Sequence, residues 1–325
     1  MNELELRTIG LHERDAVLDL LAHWLGDRAF FARYFHHDPA FRDDLCFVAL
    51  DRGRVVSTLQ VFRKQVRING ATVEVGGVGN VYTADAYRER GVASQLLARA
   101  VAAMAEHQFD LSLLFAVRLA FYGRLGWHSH VRHLVFLEPA RIAEAGPYTL
   151  AALAGDDLDA VMRIYDAYTR DLSGPTVRDR RYWAGQLHYA GNPREDFLVA
   201  RAGETIVAYA RGTPLYDFYV IMEHGCLPGH EAALTQLICR LHGTEAAALP
   251  GTIAQLAVAP GVQEQLRARG LAVRTVEDVF WMWRIISPRR LAAKLDVAEA
   301  ALAAEDVFFR LLPPASSVYW IADRF

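Results

Sequence analysis

Apolar positions divide the chain into elements. Val92, Leu96, Leu97, Ala100, Val101 and Met104 recur at the spacing of one helix face. This predicts an amphipathic helix packed on a core. Ahead of it, Gly76-Gly77-Val78-Gly79-Asn80-Val81-Tyr82-Thr83 reads as a strand, and Arg88-Glu89-Arg90-Gly91 as a short loop into the helix. Beyond it, the apolar run from Leu111 to Val117 reads as a second strand.

The pattern repeats imperfectly. Glu13 to Leu20 parallels Asp157 to Ile164, and both read as a first helix. Phe47-Val48-Ala49 and Val55-Val56 flank Asp51-Arg52-Gly53, as Leu198-Val199-Ala200 and Ile206-Val207 flank Ala202-Gly203-Glu204. Both read as hairpins. Two copies of one helix-then-hairpin unit predict an α/β chain of two related mixed-sheet domains, residues 1–143 and 144–287, divided between Pro139 and Pro147. The remaining 288–325 form a tail too short for a core of its own. Leu291 to Ala304 is helix-prone, and Val318-Tyr319-Trp320-Ile321-Ala322-Asp323-Arg324-Phe325 reads as a buried end, as in a final strand.

Composition narrows the function. The 325 residues carry a net charge of −3, so no overall basic field draws the chain to nucleic acid. Three widely spaced cysteines, Cys46, Cys226 and Cys239, fit a reducing compartment and no disulfide framework. The first residues lack a leader pattern, and no apolar run is long enough to span a bilayer. The expectation is a cytoplasmic protein with no membrane or nucleic-acid partner.

The candidate chemistry lies at two motifs. Arg88-Glu89-Arg90-Gly91-Val92-Ala93 sits at a helix start, where free N–H groups and the positive end of the helix dipole suit a phosphate. Gly91 allows close backbone approach, and Arg88 and Arg90 add charge. Solvated surface arginines would look the same. Phe121-Tyr122-Gly123-Arg124-Leu125-Gly126-Trp127 follows the second strand, where Tyr122 also suits a core aromatic.

In this order the two motifs resemble the GNAT superfamily of acyl-CoA-dependent N-acetyltransferases. The resemblance implies that Arg88, Arg90, Gly91, Val92 and Ala93 bind the pyrophosphate of acetyl-CoA as co-substrate. It implies that Val81, Tyr82 and Thr83 hold the thioester carbonyl and pantetheine through backbone groups. It makes Tyr122 the acid for the leaving thiolate. An active GNAT-like domain followed by a degenerate one and a tail resembles the Eis (enhanced intracellular survival) family. In that family the terminal carboxylate acts as base, a role that would fall to Phe325, and the proteins form homo-oligomers. The second copy offers Cys226-Leu227-Pro228-Gly229-His230-Glu231 at the loop and Leu266 in place of Tyr122. It is not expected to bind coenzyme A and would serve structure or the substrate pocket.

The strand before the loop, Val78 to Val81, lacks a carboxylate, and Glu74 is nearby. Trp24, Phe30, Phe31, Tyr34, Phe35, His36 and His37 crowd the region that would hold the acceptor, with Asp27 and Asp38 placed to attract a cationic amine; core cover is the equal alternative. His128, His130 and His133 lack a convincing metal geometry, so no metal is expected. The reading is N-acetylation of a primary amine on a small molecule or peptide, by direct attack. A non-catalytic acyl-CoA-binding regulator and a protein acceptor are the alternatives.

Overall fold

The computed structural model describes residues 4–140, 146–189, 195–215, 217–245 and 249–325. Its elements in chain order are β1 (Glu5–Thr8), α1 (Arg14–Leu25), α2 (Arg28–His37), β2 (Cys46–Asp51), β3 (Arg54–Ile68), β4 (Ala71–Thr83), α3 (Val92–Glu106), β5 (Leu111–Phe115), α4 (Leu119–Gly123), β6 (His128–Ser129) and β7 (Arg132–Leu137). There follow β8 (Thr149–Ala152), α5 (Leu158–Tyr168), α6 (Arg180–Tyr189), β9 (Asp196–Ala202), β10 (Thr205–Leu215), β11 (Phe218–Cys226), α7 (Glu231–Glu245), β12 (Thr252–Ala254), α8 (Pro260–Ala268), β13 (Val273–Asp278), β14 (Trp281–Ile285), α9 (Pro288–Leu295) and α10 (Val307–Leu311).

The strands make two seven-stranded mixed sheets, in the orders β1-β2-β3-β4-β5-β14-β6 and β13-β7-β12-β11-β10-β9-β8. In each, antiparallel hairpins lead to one parallel pair, β4 with β5 and β11 with β12, joined through a helix. That helix is α3 in the first sheet, and it buries Val92, Leu96, Leu97, Ala100 and Met104. Its counterpart α7 buries Leu234, Leu237, Ile238 and Leu241. The fold is thus α/β with two related mixed sheets.

The sheets exchange strands. β7 runs between β12 and β13 of the second sheet, while β14 enters the first between β5 and β6. Trp281 and Trp283 of β14 are buried against Leu111, Leu113 and the tail residues Phe308 and Tyr319. The expected division at 143/144 lies outside the described residues.

The tail departs from its expected form. Asp296 adopts a left-handed conformation (φ 53°) that ends α9, so the helix-prone stretch breaks there. Residues 318–325 form no strand. They run as irregular chain with one tight turn at Ile321–Asp323. Trp320 is nonetheless fully buried, with Val318 and Ala322 in the core under the second sheet. Among the described residues no helix is long and apolar enough to cross a membrane.

Beside Trp320 lies His224 of β11, with ring centroids 4.8 Å apart. Its Nε2 donates to the Gln255 carbonyl at 3.2 Å. Burial keeps the imidazole neutral and lowers its pKa to about 4. The unfolded chain, titrating near ~6.5, binds a proton that the folded chain refuses. Stability from this site is therefore full above that pH and is lost as pH falls towards 4, by up to about 3 kcal/mol. Urea unfolding at pH 7 and pH 4.5 should show this loss in the wild type and a smaller one in His224→Phe. An identical acid loss in the variant would assign the effect elsewhere.

Candidate active site

β4 pairs with β5 only from Val75↔Leu111 to Val78↔Leu114. Beyond Val78 the edge of β4 that faced β5 runs on without that partner. A bulge lies at the same place, because the β3–β4 register shifts between Thr58 and Gln60. Asn80 adopts φ 53°, a conformation asparagine tolerates. Its side chain donates to Gln60 Oε1 at 3.1 Å. Divergence of the strands opens a cleft of about 1120 Å³. Gly79, Asn80, Val81, Tyr82 and Thr83 form one wall.

The chain leaves this wall towards the start of α3. Arg88, Glu89, Gly91, Val92, Ala93 and Ser94 line the cleft there. Gly91 caps the helix at φ 74°, and the first turn of α3 carries no acidic side chain. The first-turn N–H groups of a helix have no intrahelical partner. A Cβ at Gly91 would meet only Gln95 Nε2, at 4.0 Å, so the space before these amides is open. This cradle fits a phosphate. Arg88 is braced by Asp85 at 2.8 Å and donates from Nε to the Thr83 carbonyl at 3.2 Å. Arg90 is not on the lining; its guanidinium lies 5.4 Å from the centre of the Tyr87 ring.

Across the cleft stands α4 with Phe121 and Tyr122. Among the described residues the Tyr122 hydroxyl has no hydrogen-bond partner. Burial raises this phenol to about 12, against a smaller opposing effect of Arg118, so at neutral pH it carries its proton. Trp127 of the same motif has a structural task. It is buried, and its Nε1 donates to Ser112 Oγ at 3.2 Å, while Ser112 donates to the Gly76 carbonyl at 2.8 Å. The motif is thereby tied to the seam where β4 and β5 part.

Phe325 closes the other side. Its ring stacks on Phe62 (5.3 Å) and leans on Phe115 (5.3 Å). Gly77 makes room for it, since a Cβ there would lie 2.3 Å from the ring. The Phe325 carbonyl carbon is 3.3 Å from the position of a Cβ on Gly79, beside the bulge. Thr213 and Leu215 of β10 and Met222 of β11 complete this side, so the second sheet contributes to the cleft.

Trp24, Asp27, Phe30, Phe31 and Tyr34 also line the cleft. Trp24 is stacked on Tyr82 at 6.0 Å. Asp27 spends one oxygen on the Phe30 N–H as a helix cap. The remaining acceptor candidates are elsewhere. Phe35 packs on Phe41, and His37 stacks on His188. Asp38 is buried beside Lys64 (3.6 Å), which neutralises it, so it does not draw an amine. Glu74 pairs with Arg63 and takes a hydrogen bond from Gln65, away from the cleft. Among the described residues no group of three His, Cys, Asp or Glu side chains is arranged to hold a metal. The sequence reading missed Arg33, Arg118 and Arg324 on the lining, which no local motif marks, and gave no role to Arg124 within the Tyr122 motif.

Residues 5–129 match the family model of the acetyltransferase (GNAT) domain. An uncharacterized N-acetyltransferase of Streptomyces avermitilis is 25% identical over 150 residues, 43% of this chain and 35% of that protein. The chain thus spans little more than a third of that relative's length. Another from Streptomyces griseus subsp. griseus is 25% identical over 288 residues, 79% of this chain and 68% of that protein. A GCN5-related N-acetyltransferase from Kribbella flavida shares the fold at TM-score 0.64 and 18% identity, over 90% of this chain and 74% of its own. Eis1 of Mycobacterium abscessus does so at 0.58 and 14%, over 90% and 76%. Saccharomyces cerevisiae N-myristoyltransferase with bound myristoyl-CoA does so at 0.59 and 10%, over 88% and 79%. The match to the GNAT acetyltransferase domain thus falls on the first part of a two-sheet fold that these solved structures share.

Proposed function

We propose that the protein transfers an acetyl group from acetyl-CoA to a primary amine of a small molecule or peptide. The observation that carries this reading is one cleft bordered by the Gly91–Ser94 cradle, the stretch of β4 that has parted from β5, and Tyr122. Its size exceeds what an acetyl group alone needs, which leaves room for pantetheine and an acceptor together. Attack is direct, with both substrates in the cleft.

Each residue has a task in this scheme. The cradle and Arg88 hold the pyrophosphate, and Arg90 adds long-range charge from outside the lining. Backbone groups at Val81, Tyr82 and Thr83 hold the pantetheine and polarise the carbonyl, whose oxygen gains charge as the amine adds. Tyr122 donates a hydrogen bond to the departing sulfur. A phenol near 12 stands above an ordinary thiol near ~8.5, so it acts first as a donor. Complete proton transfer requires a thiolate raised by the same burial. The amine must shed its proton, and the α-carboxylate at Phe325 is the candidate base, fixed beside the bulge by its ring.

Release of free coenzyme A thiol on addition of a panel of amines tests the activity. Tyr122→Phe should lower turnover about 100-fold or more while acetyl-CoA affinity stays within about twofold. Because the phenol titrates so high, the wild-type rate should not fall between pH 7 and 10. Tight acetyl-CoA binding without turnover on any amine would favour the non-catalytic reading.

A further inference from the structure

The last turn of the chain is held unusually firmly. The Asp323 carboxylate accepts from Arg178 Nε (3.1 Å) and Nη2 (2.8 Å), Tyr182 Oη (2.9 Å) and Gln186 Nε2 (2.9 Å). Gln186 also donates to the Ala322 carbonyl at 3.2 Å, and Tyr319 Oη to the Asp323 carbonyl at 3.1 Å. Asp323, Arg178 and Gln186 are buried. The neighbours of this clamp, Ile321, Arg324 and Phe325, face the cleft.

Arg324 is the charged member of that group. Its guanidinium lies over the Phe115 ring at 5.0 Å, and among the described residues it has no carboxylate partner. Arg132 is near enough to feel its charge. Burial chiefly lowers Arg132, to about 9; Asp278 opposes this and Arg324 adds to it. The side-chain carboxylate beside Arg132, Asp278, is engaged by Arg132 at 2.5 Å and by Trp281 Nε1 at 2.7 Å. Asp278 is thus spent on Arg132, and Arg324 faces the cleft beside the Phe325 α-carboxylate without an ion pair of its own among the described residues.

This charge is not placed for the co-substrate's phosphates. Phe325 packs over Gly77 and Gly79, before the bulge, whereas the cradle follows the far end of β4. About 13 Å of strand separates Gly79 from Thr83. The guanidinium of Arg324 lies against the Phe115 ring, and the next residue, Phe325, is a second aromatic on the lining. A guanidinium that rests on an aromatic ring and has no ion pair of its own can take a carboxylate in bidentate fashion.

We propose that Arg324 determines acceptor specificity, and that the acceptor is an aromatic or apolar amine that also bears a carboxylate or similar anion. This rests on the acetyltransferase reading above and names the substrate class of that site.

The test uses phenethylamine, phenylalanine and 4-(2-aminoethyl)benzoate, which differ in whether and where they carry a carboxylate. Binding to the coenzyme A-saturated protein is read by calorimetry, and acetylation by thiol release. At least one carboxylate-bearing amine should bind about tenfold or more tighter than phenethylamine. Arg324→Gln should erase that advantage, and Arg324→Lys should keep part of it. Acetyl-CoA affinity and phenethylamine binding should stay within about twofold. Equal binding of the three amines overturns the proposal, as does an Arg324→Gln protein that weakens all ligands alike. Carboxylate-dependent binding without acetylation would sink the transferase reading and leave the anion site standing.

Discussion

Arg178→Ala should lower folding stability by about 3–5 kcal/mol. Arg178 has no exposed side-chain surface, and neither do its partners Glu223 and Asp323. It meets Glu223 with two bonds, at 3.0 Å and 2.6 Å, and Asp323 with two more. Burial opposes its charge, but Asp323 and Glu223 outweigh burial and hold its pKa well above the ordinary value. Alanine would leave two carboxylates in a dry interior with one cation fewer. Arg211, which lies 3.8 Å from Glu223, is already committed to Glu195 and Gln186. Urea unfolding at pH 7 measures the effect. A loss under about 1 kcal/mol would mean that water or rearrangement compensates the pair.

The largest effect on ligand binding is expected from Gly91→Glu, which should weaken acetyl-CoA binding by about 100-fold or more. Two causes act together. The backbone at φ 74° suits glycine, and a side chain there costs about 1 kcal/mol. The added carboxylate would occupy the open space before the first amides of α3, where a phosphate would sit. The fold should persist, because a negative charge at a helix N-terminus is itself favourable by about 0.3–1 kcal/mol. Affinity should therefore fall with little change in melting temperature.

The features legible in the sequence were those set by neighbouring residues. The helix of 92–104, the glycine at its cap and the strand before it are local patterns, and the structure contains all three. Both hairpins and both first helices were equally plain. What stayed hidden depends on distant partners. Strand β14 pairs with β5 across more than 160 positions, and no periodicity in 281–285 announces which sheet it joins. Asp38 read as an amine attractor because its partner Lys64 lies on another element. Asp323 read as part of a last strand. Its four hydrogen bonds from Arg178, Tyr182 and Gln186 hold a turn there instead. Arg324 and Phe325 reach the cleft because of that turn. Aromatic composition foretold the burial of the tail but not its path.

Titrating acetyl-CoA by calorimetry into the wild type and Gly91→Glu, side by side, tests the central claim most directly. The cleft predicts saturable binding of one acetyl-CoA per chain in the wild type, displaced by coenzyme A and lost in the variant. One site is expected because the second-sheet loop, Cys226 to Glu231, has no arginine and ends in an acid. No binding in the wild type, or equal binding in both proteins, would contradict the account.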